Sequence, residues 1–400
     1  MKPASKRKIA IFTGNRAEYG LQYPILEAVS RHPELEYFLL VSGAHLDEDF
    51  GRTRSEIARD GFRIHQEIKI EMPQDTLYAT AQAIGSGVVN TSRALESLRP
   101  DFLLVYGDRF EAFAAMIAGT QMGIGTAHVE GGDITEGGAL DDSVRHAMTK
   151  LAHLHFTTNE EAAGRVRRMG EEPWRVFNVG FPAIDLIAAG KFAPAAEIAE
   201  RYHLDLAKPI VLFTQHPVAT EFEEAARQVG PSLRALERLG KEGCQVIVTY
   251  PNNDAGGRRI IHAIEEWIKV PRPGVQLHRS LGRFDYHGVL HRGGHGGGRG
   301  VCAGNSSSGI KETPALGCPA VNIGSRQNER LRAQNVIDAG YEEEAIFEAV
   351  QKALFDEEFR RLCRHCHNPY GAGGAGKKIA ETLATTELGS KLIQKKSNHV

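Results

Sequence analysis

Carboxylates that directly follow buried strands are the side chains best suited to chemistry in this sequence. Asp108 comes after the apolar run Phe102–Tyr106, Glu130 comes after the apolar residues 126–129, and Asp141 lies where a later helical pattern begins. One such carboxylate is typically a helix cap or an ion-pair partner, but two neighbouring strands that end in this way favour a site. Carboxylates held close together repel each other, which raises the pKa of at least one and separates an acid from a base. The three residues therefore predict proton transfer at a carbon atom.

Two further segments have the composition of anion-binding sites. Residues 14–20 read GNRAEYG between a strand and a helix, where backbone N–H groups attract an anion and Arg16 adds a cation. Residues 304–309 read GNSSSG, and three serines at the start of a helix offer N–H and O–H donors to a diphosphate. The first segment lacks the G-x-G-x-x-G pattern of a dinucleotide site, so no cofactor is expected. We also expect no required metal, because no D-x-D or other metal-ligand cluster is apparent, and arginines and the helix start would then have to neutralise the phosphates.

Strands and helices alternate in two series, which predicts parallel sheets covered by helices on both faces. The first series begins at residues 8–13 and the second at residues 209–214, and a stretch with Pro and Gly at 180–209 separates them. The predicted fold class is α/β, with two Rossmann-like domains facing a central cleft. The predicted domains are residues 1–185, residues 186–370, and a helix within 371–400 that crosses back to the N-terminal domain and ends in a disordered tail.

The composition argues against several classes of partner. The 400 residues are 42% hydrophobic and carry a net charge of −2, which provides no basic surface for nucleic acid or an anionic membrane. No apolar run is long enough to span a bilayer and no signal-peptide core is evident, so a cytoplasmic protein is expected. The five cysteines are few, as in a reducing compartment. Cys363 and Cys366 have C-x-x-C spacing without a second ligand pair, which favours the exposed end of a helix over a metal site.

At these residues the sequence strongly resembles the hydrolysing UDP-N-acetylglucosamine 2-epimerases of sialic-acid biosynthesis, which have the glycosyltransferase-B fold. The matching segments run in the family's order from about residue 8 to residue 376 and include TGNRAEYG, YGDRFEA, HVEGGDITEGGALDDSVRHAMTKLAHLHF, QHPV, YPNNDAGG and GNSSSGIKETPALGCPAVNIGSRQ. Non-hydrolysing 2-epimerases share the fold but typically carry an EAGLR-like segment where this chain reads Glu130-Gly131-Gly132-Asp133. The resemblance therefore implies that the free sugar is released.

The resemblance also implies roles for individual residues. The implied catalytic residues are Asp108, Glu130, Asp141 and His216. The residues implied to lie near the sugar are His45 and Arg109. The residues implied to hold uridine diphosphate are Arg16, Gly20, Asn252, Ser306, Ser307, Glu312 and Arg326. A homodimer or homotetramer is implied as well.

In the implied reaction a carboxylate removes the C2 proton while UDP leaves C1, which gives a 2-acetamidoglucal. Water then adds with the opposite configuration at C2, and N-acetylmannosamine results. His216 would bind the phosphates or protonate the leaving group. Which of the three carboxylates is the base stays open.

Three alternatives also stay open. The substrate could be UDP-2,4-diacetamido-2,4,6-trideoxyglucose, on the route to legionaminic-type sugars, because the contacts to uridine diphosphate would be the same. The fold could instead serve a glycosyltransferase, or a nucleotide-sugar-binding protein that has lost activity. The last alternative arises from residues 291–304, where seven glycines, two arginines and two histidines stand in place of the family's usual apolar strand. This composition predicts no regular buried strand, whether it reflects a flexible loop or a local reading-frame error.

Overall fold

The computed structural model divides into two compact units. It describes residues 6–46, 54–70, 76–134, 140–252 and 256–398, without the side chains of residues 16, 17, 44, 55, 77 and 219. Unit 1 comprises Met1–Ile134, Leu140–Asp185 and Gly373–Val400, and unit 2 comprises Thr135–Ala139 and Leu186–Ala372.

The described residues form two parallel sheets, of seven strands in unit 1 and six in unit 2. The strands of unit 1 are β1 (Arg7–Thr13), β2 (Leu35–Ser42), β3 (Ile64–Ile68), β4 (Phe102–Tyr106), β5 (Gly125–Val129), β6 (Leu154–Thr157) and β7 (Val176–Asn178). The strands of unit 2 are β8 (Ile210–Thr214), β9 (Gln245–Thr249), β10 (Val275–His278), β11 (Gly300–Gly304), β12 (Ala320–Ile323) and β13 (Val336–Ala339). Their spatial orders are β3-β2-β1-β4-β5-β6-β7 and β10-β9-β8-β11-β12-β13. Both are the strand order of a Rossmann fold, so the predicted α/β class with two Rossmann-like domains is confirmed.

Helices connect the strands. They are α1 (Arg16–Arg31), α2 (Arg54–Arg59), α3 (Leu77–Leu98), α4 (Phe110–Gln121), α5 (Leu140–Leu151), α6 (Glu160–Arg168), α7 (Ile184–Ala188), α8 (Ala195–Tyr202), α9 (Ala225–Lys241), α10 (Gly257–Ile268), α11 (Gly282–Gly293), α12 (Ser308–Lys311), α13 (Glu343–Phe355), α14 (Glu357–His365), α15 (Ala375–Thr385) and α16 (Ser390–Ile393). No helix in the described ranges is long and apolar enough to cross a bilayer.

Side chains of β1 alternate between two cores. Ile9 and Ile11 belong to a cluster with residues of α1 and α15, whereas Ala10 and Phe12 belong to a cluster with residues of α4. Successive side chains of a strand point to opposite faces, so both faces of this sheet are buried. This burial explains why the first strand is almost continuously apolar.

The glycine-rich residues 291–304 form a helix end and a buried strand, so the prediction that no regular strand forms there is wrong. β11 lies between β8 and β12 and pairs with both. A Cβ atom on Gly300 would lie 2.7 Å from the Cα atom of Gly293, and one on Gly304 would lie 2.0 Å from the carbonyl oxygen of Thr214. Ladder hydrogen bonds and close packing therefore outweigh the low strand propensity of glycine.

The C-terminal segment packs on unit 1. α15 lies against α1. Beyond α16, in the tail that the sequence predicted to be disordered, the Nζ atom of Lys395 donates to the carbonyl oxygens of Lys150 and Ala152, each at 2.7 Å, and forms an ion pair with Glu171. Lys395 therefore covers the C-terminal carbonyls of α5, where a cation complements the helix dipole.

The C-x-x-C pair is less exposed than predicted. Cys363 lies at the end of α14 as expected, but its side chain is fully buried, and the Sγ atom of Cys366 donates to its carbonyl oxygen at 3.2 Å. In the described part of the chain, no three His, Cys, Asp or Glu side chains are grouped so that they could hold a metal ion.

Candidate active site

The strand order of each sheet reverses at one point, between β1 and β4 in unit 1 and between β8 and β11 in unit 2. Ligands of such sheets bind beyond the carboxyl ends of the strands at this switch point. Gly14 and Asp108 follow the two central strands of unit 1, and His216 and Asn305 follow those of unit 2. Asp108 and His216, two of the residues predicted from sequence, thus lie where the topology favours a ligand.

A buried arginine lies among the carboxylates of unit 1. The side chain of Arg145 is only 5% exposed, and its guanidinium group forms hydrogen bonds with Asp108 and, at 3.2 Å, with Asp142. Burial alone would lower the pKa of Arg145, but the charges of Asp108, Asp133, Glu130 and Asp142 outweigh it and raise the pKa. A permanent positive charge therefore offsets the repulsion among carboxylates that the sequence analysis expected.

Glu130 has a strained backbone. Its φ is +69°, in the left-handed region, which costs a residue other than glycine about 1–2 kcal/mol. Its N–H group donates to the carbonyl oxygen of Phe156 at 2.9 Å, and Gly132 follows in a space where a Cβ atom would lie 2.4 Å from the carbonyl oxygen of Ala162. Such strain persists only where surrounding structure imposes it, and it is concentrated at functional sites.

The two adjacent aspartates at the start of α5 differ in environment. Asp142 is buried and accepts a hydrogen bond from Arg145, whereas Asp141 is exposed on the first turn. The predicted catalytic residue of this pair, Asp141, is therefore the one open to a ligand.

Glu18 is a buried carboxyl group in the first turn of α1 that the sequence pattern did not single out. Its Oε2 atom accepts hydrogen bonds from the N–H group of Gly14 at 3.0 Å and from the side chain of Asn15 at 3.2 Å. Burial raises the pKa of Glu18 to about 8, against the effect of the bond from Gly14, and the charge of Glu111 adds to the rise. Glu18 therefore holds a proton at neutral pH. The spacing of Asn15 and Glu18, which is that of a helix capping box, is the signal that could have identified it.

The other residues predicted in unit 1 lie in the neighbouring loops. His45 is fully buried, with its Nε2 atom 3.1 Å from the Oγ1 atom of Thr13, and burial lowers its pKa to about 4. Arg109 is 34% exposed and its Nε atom lies 3.3 Å from Glu111. Gly20 lies on α1 with open space where a Cβ atom would be. His45 is thus covered by protein, whereas Arg109 is accessible. The side chain of Arg16 lies outside the described part of the structure.

In unit 2, His216 is held by hydrogen bonds to two asparagines. The Nδ1 atom of its ring accepts from the N–H group of Asn252 at 3.0 Å, so the proton of the neutral ring is on Nε2. The side-chain amide of Asn305 accepts from the N–H group of His216 at 2.6 Å and donates to its carbonyl oxygen at 2.9 Å.

Burial, together with the positive charge of Arg326, lowers the pKa of His216 to about 3. At neutral pH the ring is therefore uncharged and can donate one hydrogen bond from Nε2. This state suits the first of the two roles considered for His216, that of a donor to phosphate, better than that of a proton source for the leaving group.

The serine-rich segment opens a short helix. Ser307 is the N-cap of α12, which has four residues, and the Oγ atom of Ser306 accepts from the N–H group of Ser308 at 3.3 Å. A single helical turn has a small dipole, so the individual N–H and O–H donors carry most of any attraction for a diphosphate.

Two more residues predicted to hold uridine diphosphate lie nearby in the chain. The Oε2 atom of Glu312 accepts from the Nε2 atom of His287 at 2.9 Å and from the hydroxyl group of Ser308 at 2.8 Å. Burial acts to raise the pKa of Glu312, but His287 and these hydrogen bonds outweigh it and lower the pKa. Arg326 donates to the carbonyl oxygen of Asn305 at 3.1 Å.

Two Rossmann-like units with carboxylates, an arginine and a neutral histidine at their switch points form a framework suited to nucleotide-sugar chemistry. The model of the UDP-N-acetylglucosamine 2-epimerase family matches residues 27–384. The chain therefore belongs to this family of enzymes.

Relatives in several bacteria support this assignment. A Legionella pneumophila protein named UDP-N,N'-diacetylbacillosamine 2-epimerase (hydrolyzing) is 34% identical, covering 97% of this chain and 98% of the relative. A Neisseria meningitidis UDP-N-acetylglucosamine 2-epimerase is 32% identical, covering 87% of each chain. The crystal structure of the UDP-GlcNAc 2-epimerase from Neisseria meningitidis bound to UDP-GlcNAc has the same fold, with a TM-score of 0.80, 18% identity, and coverage of 95% of this chain and 100% of that chain.

Proposed function

We propose that this protein is a hydrolysing UDP-N-acetylglucosamine 2-epimerase, which converts UDP-N-acetylglucosamine and water to UDP and N-acetylmannosamine. The observation that carries the proposal is the grouping of Asp108 and Glu130 around buried Arg145, within a chain of this family. Carboxylates of fixed position at the end of a sheet can remove and return protons on the two faces of a sugar ring.

The reaction follows an elimination and a hydration. A carboxylate of unit 1 takes the C2 proton while the C1–O bond to the diphosphate breaks, which gives UDP and a 2-acetamidoglucal. Water then adds its oxygen to C1, and a proton is added to C2 from the opposite face. The proton on C2 is only weakly acidic, so departure of the diphosphate must be assisted strongly.

The second unit supplies that assistance. We assign to UDP the neutral donor His216, the serine hydroxyl groups of Ser306 and Ser307, and the cation Arg326. Arg16, Gly20, Asn252 and Glu312 complete the proposed contacts to UDP, and His45 and Arg109 act near the sugar, with Asp141 as the third catalytic carboxylate. We further propose a cytoplasmic enzyme that acts as a homodimer or homotetramer and needs neither cofactor nor metal.

UDP-2,4-diacetamido-2,4,6-trideoxyglucose, which is UDP-N,N'-diacetylbacillosamine, is the second candidate substrate. The relatives from Legionella pneumophila and Campylobacter jejuni, which are 34% and 32% identical, are named for that sugar. Both candidates would share the contacts to uridine diphosphate and the chemistry at C1 and C2.

The test is incubation of the purified protein with each UDP-sugar in deuterated water, followed by proton NMR. We expect UDP and N-acetylmannosamine with deuterium at C2, and a higher kcat/KM for UDP-N-acetylglucosamine. A higher kcat/KM for the diacetamido substrate would replace the first assignment by the second. Absence of UDP release from both would leave a binding protein, and transfer of the sugar to an acceptor without free sugar would indicate a glycosyltransferase.

A further inference from the structure

A buried imidazole lies between the turn that carries Asp108 and the helix that carries Arg145. His128 is on β5, two residues before Glu130, and its side chain is fully buried. Its Nε2 atom lies 2.7 Å from the carbonyl oxygen of Gly107, the residue before Asp108. Its Nδ1 atom lies 3.1 Å from the Oγ1 atom of Thr149, one helical turn after Arg145. The ring therefore contacts the turn before one carboxylate and the helix that carries the arginine.

The direction of these hydrogen bonds follows from the groups involved. A carbonyl oxygen can only accept, so Nε2 carries the proton and Nδ1 accepts from the hydroxyl group of Thr149. Burial lowers the pKa of His128 to about 3, so this neutral form persists at physiological pH. The same hydroxyl group lies 3.0 Å from the carbonyl oxygen of Arg145, and because it carries a single proton, Nδ1 and that carbonyl oxygen are alternative acceptors for it.

The turns on both sides of the ring depend on close contact with β5. Gly107 has a φ of +70°, and its N–H group donates to the carbonyl oxygen of Val129 at 3.1 Å. A Cβ atom on Gly131, the residue after Glu130, would lie 3.0 Å from Nδ1 of His128 and 2.9 Å from Oγ1 of Thr149. The second turn thus packs directly on the pair formed by His128 and Thr149.

We propose that His128 is a positioning residue, whose ring fixes the turn before Asp108 and the turn after Glu130 relative to the helix that carries Arg145. This inference rests on the proposed function for its effect on turnover. The elimination and the hydration need proton transfers on opposite faces of the sugar. A displacement of one carboxylate relative to the other therefore changes the two steps unequally, and an error of about 1 Å costs on the order of 100-fold in rate.

Two substitutions separate the two hydrogen bonds of the ring. In His128→Gln the amide nitrogen can occupy the place of Nε2 and keep the bond to Gly107, whereas in His128→Asn the shorter side chain reaches only the place of Nδ1. We expect His128→Gln to keep kcat within about 10-fold and His128→Asn to lose about 100-fold. We also expect His128→Asn to release a larger share of product as the 2-acetamidoglucal.

His153 offers a matched control. It is also a buried histidine of unit 1, and its Nδ1 atom accepts from the N–H group of Thr126, near the start of β5, at 3.0 Å. His153→Gln should lower the melting temperature without changing kcat or the ratio of products. Equal losses in both His128 variants that follow the melting temperature, with an unchanged product ratio, would reduce His128 to a purely structural residue.

A crystal structure of His128→Asn gives a readout that does not depend on turnover. We expect the carbonyl group of Gly107 to have rotated and Asp108 to have moved from Arg145, whereas His128→Gln should keep both. An unchanged position of Gly107 and Asp108 in His128→Asn overturns the proposal whatever the activity. Failure of the proposed function is distinct from this outcome, because then the wild-type protein itself would release no UDP from either sugar.

Discussion

The side-chain amide of Asn305 forms a reciprocal pair of hydrogen bonds with the backbone of His216, accepting from its N–H group at 2.6 Å and donating to its carbonyl oxygen at 2.9 Å. These bonds join the residue after β11 to His216, the second residue after β8. The backbone of a histidine in a loop is thereby fixed by an asparagine 89 positions away in the sequence.

We expect Asn305→Asp to weaken UDP binding and lower kcat. The new carboxylate can still accept from the N–H group of His216, but its second oxygen faces the carbonyl oxygen that Asn305 now satisfies. Loss of such a buried donor costs about 1–3 kcal/mol, or about 5- to 150-fold in affinity. Calorimetric titration with UDP measures the effect.

Asn335→Asp is the control for this substitution. Asn335 is fully buried and its amide donates to Thr313 at 2.9 Å and to the carbonyl oxygen of Cys318 at 2.8 Å. It should lose stability while retaining UDP affinity. Equal affinity losses in the two variants would refute a specific link from Asn305 to His216.

Arg145→Met should destabilise unit 1 strongly. It leaves Asp142 buried without its cation, and breaking a buried ion pair by removing one partner costs about 3–5 kcal/mol. Arg167, which pairs with exposed Glu160 at 2.7 Å, provides the comparison, because Arg167→Met should cost less than about 1 kcal/mol. Urea unfolding of both variants measures these costs, and similar values for the two would contradict the central place given to Arg145.

Glu18 should make stability depend on pH. Its pKa is about 8 in the folded protein against the ordinary value of 4.5, so between these values the folded state retains a proton that the unfolded state has lost. The free energy of unfolding therefore falls as pH rises from about 4.5 to about 8. Glu18→Gln removes this contribution. As pH rises between these limits, the free energy of unfolding of the variant should therefore increase relative to that of the wild type, by a few kcal/mol. Urea unfolding at about pH 5.5 and about pH 8.5 measures the difference in stability between the variant and the wild type, and an equal difference at the two pH values would refute this prediction.

Gly304→Ala should prevent β11 from pairing normally. Its φ is +120° and the new Cβ atom would lie 2.0 Å from the backbone oxygen of Thr214, so we expect a loss above about 3 kcal/mol or failure to fold. Gly297 is the control, because its φ is +78° but no atom lies within 4 Å of the Cβ position. Gly297→Ala should cost only about 1–2 kcal/mol, the strain of the backbone alone. Thermal and urea unfolding compare the two, and equal losses would contradict the steric argument.

The fold was largely predictable from sequence because most strands are apolar runs that alternate with amphipathic helices. The strands missed were β3, β7, β11 and β13. β3 and β7 are short strands at the edges of the sheet of unit 1, where little burial leaves little pattern. β11 was missed for the opposite reason, since its glycines are dictated by contacts with Gly293 and Thr214 that are remote in sequence.

Many of the site residues could be predicted because they follow strands, and the end of a strand can be recognised from the local sequence pattern. The hydrogen-bond and ion-pair partners of these residues could not be predicted in the same way. Asp108 and Arg145 are 37 positions apart, and only the folded sheet and α5 bring them together. Burial likewise sets the protonation of Glu18 and His216, and the depth of a side chain below the surface is a property of packing rather than of neighbouring residues.

The composition of unit 1 has a consequence for the order of events during synthesis. Its core includes Ile379, Leu383 and Leu392, which leave the ribosome after all of Leu186–Ala372 has been made. Domains generally fold in the order in which they are translated. Here the unit that is begun first is completed last, so its nascent chain must wait, with the apolar surface of α1 uncovered, until α15 emerges. The described residues of unit 2, by contrast, all lie within Leu186–Ala372, so its folding can precede that final docking.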